Sequence, residues 1–238
     1  MSNPARLLAS LLATWTIPSG QSPESARADG NLDGLPFWEA HILAMNYMTD
    51  IREALLTLKE SGQPIDFYEA SIPAWYRGIF AVGVPWNSQI NHTRPVVAEH
   101  EFRILNALAG HIDSHKIVPV LEESFITTAI GIATDLRKLA EKEPTLSPEI
   151  RDYLIAMIDE TIQTLTGKDI HGNMAVRRKI LELLGCTSTI EKTLPAESRK
   201  KWSEKTQKLM AGILGAVGMT ALNVAGDVAT NVLTGGGS

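Results

Sequence analysis

The sequence predicts an all-α protein, a multi-helix bundle of about seven to eight helices with a long C-terminal helix. Three observations carry this. Apolar residues recur at steps of three and four along most of the 238 residues, the spacing of one helix face. Gly or Pro stands at the ends of these periodic stretches, where helices stop or begin. Apolar and polar residues hardly ever alternate strictly, and only 82–86 leaves room for a short extended piece.

In chain order, 4–15 puts Leu7, Leu8, Leu11, Leu12 and Trp15 on one face behind a leading Pro4. This is a helix that docks on a core. The stretch is too short, and too broken by Ser10 and Thr14, for a secretory leader. It also has too few basic residues for a membrane-surface anchor. Residues 18–34 collect Ser, Gly, Pro, Asp and Asn and read as an exposed loop. The clearest helix is 37–59, with Trp38, Ile42, Met45, Met48, Ile51, Leu55 and Leu58 on the inward stripe and Gly62 and Pro64 behind it. A second runs over 68–81. Residues 67–86 hold Phe67, Tyr68, Trp75, Tyr76, Phe80 and Trp86, a density that suits a core or the lining of a ligand pocket. After a loop at 83–95 come helices over 97–116, from 119 onward, and from Ser147 to about 166. Ser147 can cap the last of these, with Pro148 and Glu149 in its first turn. Gly185 is read as closing a helix over 173–184 that includes Leu181 on its inward side. Pro195 opens the last element. The chain is thus expected to comprise a helical body, 1–194, and a tail, 195–238.

Composition narrows function. With 44% hydrophobic and 21% charged residues the chain is globular in type. A net charge of −5 argues against a nucleic-acid partner, whose affinity rests on clustered Lys and Arg. Cys186 is the only cysteine, so no intrachain disulfide can form, which fits a reducing, cytoplasmic location. The charge is uneven: 197–208 carries five basic residues (Arg199, Lys200, Lys201, Lys205, Lys208) against Glu197 and Glu204. This collar has a charge of +3, leaving −8 elsewhere.

Catalytic signatures are sparse. There is no Gly-rich phosphate loop, GxSxG elbow or Cys/His pair with triad logic, so the reading leans away from an enzyme and names no catalytic residue and no cofactor. His111 and His115 stand four apart but lack the glutamate of a zinc-protease helix, and no metal site is expected. Arg94 and His100, with five residues between them, resemble the Arg…His spacing of the small helical ribonucleases of the HEPN kind. The resemblance covers this pair alone, with Pro95 directly after the arginine. It implies a histidine acting as acid or base beside an arginine that holds phosphate.

The collar leads into 209–226, LMAGILGAVGMTALNVAG, which has no charge. As a helix it would extend ~27 Å, against ~30 Å for a bilayer core. Gly212, Gly215, Ala216, Gly218, Ala221, Ala225 and Ala229 supply the small-residue spacing that lets helices approach closely. Each glycine costs roughly 1 kcal/mol in an exposed helix, so the segment needs shelter in its own core, in a membrane, or against another copy. The sequence therefore suggests a non-enzymatic effector or interaction protein. Its C-terminal helix associates with itself or, through the collar, with anionic membrane; a protein partner is also compatible. The alternatives are a soluble helical binding module with a structural tail and a HEPN-like ribonuclease.

Overall fold

A computed structural model describes residues 3–28 and 37–217. The described chain is all-helical, with ten helices and no strand; a single antiparallel bridge joins Ile17 to Arg94. It divides into two compact units, Met1–Val118 with Asp169–Gly172, and Pro119–Lys168 with Asn173 onward. The last helix packs within the second unit.

The first unit contains α1 (Pro4–Thr14), α2 (Pro23–Ala28), α3 (Phe37–Glu60), α4 (Asp66–Ile79) and α5 (Glu99–Ser114). It also takes in most of the one-turn α8 (Lys168–His171). Helix α1 lies against both α3 and α5, with Ala5, Leu8, Leu11 and Leu12 essentially inaccessible. Its start is fixed by Asn3. The side-chain oxygen accepts from Ala5 N, and Nδ2 donates to Ala109 O (2.9 Å) and Asp113 Oδ1 (2.8 Å). Arg6 also pairs with Asp113 at 2.8 Å.

Helix α2 lies inside the stretch expected to be a loop. It begins at Ser22-Pro23-Glu24, where Ser22 Oγ accepts from Ser25 N at 3.1 Å. The same Ser-Pro-Glu triplet starts the helix at 147–149.

The second unit is a four-helix bundle of α6 (Glu123–Lys142), α7 (Pro148–Thr166), α9 (Asn173–Glu191) and α10 (Ala196–Val217). Each helix packs on the next of these in chain order, and α10 closes the ring on α6. Its core is mainly aliphatic: Leu136, Leu154, Ile158, Val176, Ile180 and Leu183 are fully buried. Ser147 caps α7 as its sequence suggests, accepting from Ile150 N. Gly185 does not end α9. The helix runs six residues further because Thr187 and Ile190 bury on the same side, and Thr187 Oγ1 returns a hydrogen bond to Leu183 O (2.8 Å).

Candidate functional site: an apolar groove in the first unit

Helix α3 has apolar residues on both sides of its N-terminal half. Ala40, Leu43, Ala44, Tyr47 and Met48 take the buried side. Trp38 (72% exposed) and Ile42 (61% exposed), two of the residues expected inside, therefore face outward, and Met45 is half-buried. A side chain one position off the core stripe is rotated by about 100°, so only one of two neighbouring apolar stripes can be buried by the same neighbours.

The unburied stripe forms one wall of a groove of about 1070 Å³. Phe80, just past α4, and Trp86 form the opposite wall, and Glu24, Asn46 and Asn87 add polar atoms to the lining. Of the aromatic cluster at 67–86, only Phe80 and Trp86 reach the groove. Trp75 is core, with Nε1 donating to Glu101 O at 3.3 Å, and Phe67 is exposed against Tyr68.

Behind the groove, Arg27 of α2 is 2% exposed. Its guanidinium donates to Gly78 O (2.9 Å) and Ile79 O (2.5 Å), the last carbonyls of α4, where a positive charge suits the helix dipole. It lies between the rings of Trp15 (4.4 Å) and Trp86 (4.9 Å). No carboxylate among the described residues pairs with it, and Nε meets no acceptor there. A desolvated cation between two indoles gains about 2 kcal/mol, which offsets part of its burial cost. Burial still pulls its pKa down to about 10.

His41 joins this cation to the groove. Nδ1 is 2.9 Å from Phe37 O, which can only accept, so Nδ1 carries the proton. Nε2, 2.8 Å from Arg27 Nη1, then accepts from the guanidinium. The ring stacks on Trp15 at 4.5 Å and touches Phe37 and Trp86. Burial, with the adjacent Arg27 charge opposing protonation as well, holds the imidazole below its usual pKa. Both ring nitrogens are engaged, so His41 is a structural wall of the groove rather than a free acid or base. What remains toward solvent is aromatic and aliphatic surface, suited to taking up an apolar surface.

The collar and tail residues lie on or after α10. Trp202, Thr206, Leu209 and Ile213 form its buried stripe at steps of four, three and four. The stripe is hard to see in the sequence because it runs across the junction between the charged collar and the apolar run. Most of the collar is engaged locally. Lys205 pairs with Asp135 of α6 at 2.6 Å, Lys201 with Glu197 at 3.2 Å and Lys208 with Glu204 at 2.7 Å. Arg199 donates to Leu194 O and Lys192 O; Lys200 is exposed.

Gly212 lies under Phe125, whose ring a Cβ would approach to 2.8 Å, whereas a Cβ on Gly215 would meet open space. Ala216 falls within α10. Gly218, Ala221, Ala225 and Ala229 lie outside the described residues. Among the described residues no helix is long and apolar enough to cross a membrane.

Arg94 and His100 line one cavity of the first unit. His111 and His115 stack edge-on at 4.5 Å, and among the described residues no three His, Cys, Asp or Glu converge as metal ligands would. No family model, curated protein or solved structure matches this chain.

Proposed function

We propose that this is a non-enzymatic, self-associating interaction protein. The α3 groove of one copy receives the uncharged run that continues past Val217 in another. The observation that carries this reading is the exposure of Trp38 and Ile42 beside Phe80, an apolar patch of the kind that marks binding surfaces. The proposed occupant is complementary: 218–226 contains no charge and several apolar residues. From Trp38 to Met45 the stripe is about 10 Å long, room for two turns of an apolar helix laid in a groove. Helix α10 up to Ile213 is scaffold, and the part beyond Val217 is the associating element.

Truncation must therefore fall after Val217 and not at Lys208, which would remove Leu209 and Ile213 from the core. The full chain and the chain ending at Val217 are compared by sedimentation equilibrium and by flotation with vesicles of anionic and zwitterionic lipid. Self-association lost on truncation, with no flotation of either form, is the expected result. Flotation of the full chain alone would favour membrane as the occupant's destination; a full chain that stays monomeric and unbound would end both readings.

A further inference from the structure

We infer a second site, an oxyanion-binding cavity between the end of α4 and the start of α5, selective for phosphate or a small phosphate ester. The cavity measures about 370 Å³ and shares no lining residue with the groove. Arg77, Arg94 and His100 all line it, brought together from three parts of the chain.

Local sequence explains the convergence. Gly78 has no side chain where a Cβ would stand 2.3 Å from Val97 Cγ2 and 3.2 Å from Val96 O, so α4 closes on 96–97 and carries Arg77 there. Arg94 is held by two backbone hydrogen bonds with Ile17, each 2.9 Å. His100 lies in the first turn of α5, whose N-cap residue Ala98 offers no side-chain oxygen to the open N–H groups, and Ala98 also lines the cavity.

The charge balance favours an anion. Two acids lie nearby, and both have partners: Glu99 pairs with Arg103 at 2.5 Å, and Glu101, itself a lining residue, meets His100 Nε2 through Oε1 at 3.2 Å. The second carboxylate oxygen of Glu101 is buried and meets no hydrogen-bond partner among the described residues, so the lining sets two guanidiniums against one carboxylate that is only half engaged. No carboxylate among the described residues pairs with Arg77 or Arg94, so two guanidinium forks remain for a ligand in a chain of net charge −5. Guanidinium forks match phosphate oxygens bidentately, and a helix N-terminus reinforces the preference. The volume lies at the small end of ligand pockets.

The test is calorimetric titration of the full chain with inorganic phosphate, pyrophosphate and a nucleoside 5′-monophosphate at low and moderate salt. Saturable binding that weakens with salt is expected. Arg77→Ala and Arg94→Ala should each weaken it about tenfold, the scale of one charge-assisted pair, while Lys138→Ala in the second unit changes nothing. Tighter binding of the monophosphate than of phosphate would identify the ligand as an ester; the reverse would identify the free ion. Both arginines are exposed, so thermal melts should be unchanged and loss of binding cannot be ascribed to unfolding. No saturable binding at millimolar phosphate, or equal loss in Lys138→Ala, overturns the site.

Discussion

The two units solve different problems. All six histidines and all but three of the fourteen aromatic residues lie in the first; the second keeps only Phe125, Tyr153 and Trp202 and no histidine. The second is a ring of four helices that buries its stripes in an aliphatic core. The first buries one stripe of α3 and leaves the other open, and it holds in its interior an arginine that no carboxylate among the described residues pairs with. A bundle that needed only stability would not require those features. The contrast supports the proposal that recognition belongs to the first unit and scaffolding to the described part of the second.

Replacing one tryptophan in each unit breaks or sharpens this contrast most strongly. Trp202 is 1% exposed and Trp38 72%. Trp202→Ala should cost about 3–5 kcal/mol, and Trp38→Ala no more than about 0.5 kcal/mol, by urea denaturation followed by circular dichroism. Comparable losses would remove the distinction between core and binding face.

Next in size is Gly78→Ala. The new methyl meets Val97 and Val96 O, so the first unit should lose about 1–3 kcal/mol, and phosphate binding should weaken with it. A neutral result would mean that α4 does not depend on that close approach.

A pair of glycines in α10 gives a smaller effect, present at one position and cancelled at the other. Gly215→Ala has open space and should gain about 0.5–1 kcal/mol from helix propensity. Gly212→Ala should forfeit that gain against the Phe125 ring. Thermal melts of the two variants decide, and equal stabilisation would show that Gly212 is not packed as described.

The pH dependence should also differ between the units. His41 has a folded pKa below its ordinary value of 6.5, so the unfolded chain takes up the proton first. Its contribution is complete above pH 6.5 and shrinks as pH falls from there toward the lowered folded pKa. In the second unit Asp135, bonded to Lys205, and Glu143, bonded to Ser198 and Thr145, have carboxyls held below their usual range. Their contributions are lost only as pH falls below the ordinary carboxylate values near 4. Amide hydrogen exchange at pH 7 and pH 5.5 should show protection falling near α2 and α3 before it falls in α6–α10. His41→Gln should flatten that part of the profile.

Much of the fold is legible in the sequence, and the reasons differ by region. The all-helical class and most helix positions follow from spacing and from starts such as Ser147-Pro148-Glu149. The same triplet at Ser22 is masked by the surrounding Gly and Ser, which suggest a loop. Gly185 misleads because a glycine stops a helix only if nothing beyond it must be buried. Leu181, placed inward by spacing, is 37% exposed.

The groove was half legible. Apolar residues on both faces of α3 are visible in the sequence, but periodicity cannot say which face its neighbours will cover. Its far wall comes from Phe80 and Trp86, some forty residues on. The Arg27–His41 pair carries no sequence signal, since a lone arginine in a polar stretch looks solvated.

The most direct test of the proposed binding face is sedimentation equilibrium of the full chain beside Ile42→Glu. Ile42 is exposed, so the substitution should spare the fold while placing a charge in the groove. The account predicts that the unaltered chain self-associates and the variant is monomeric with an unchanged melting temperature. Equal association of both proteins would contradict it.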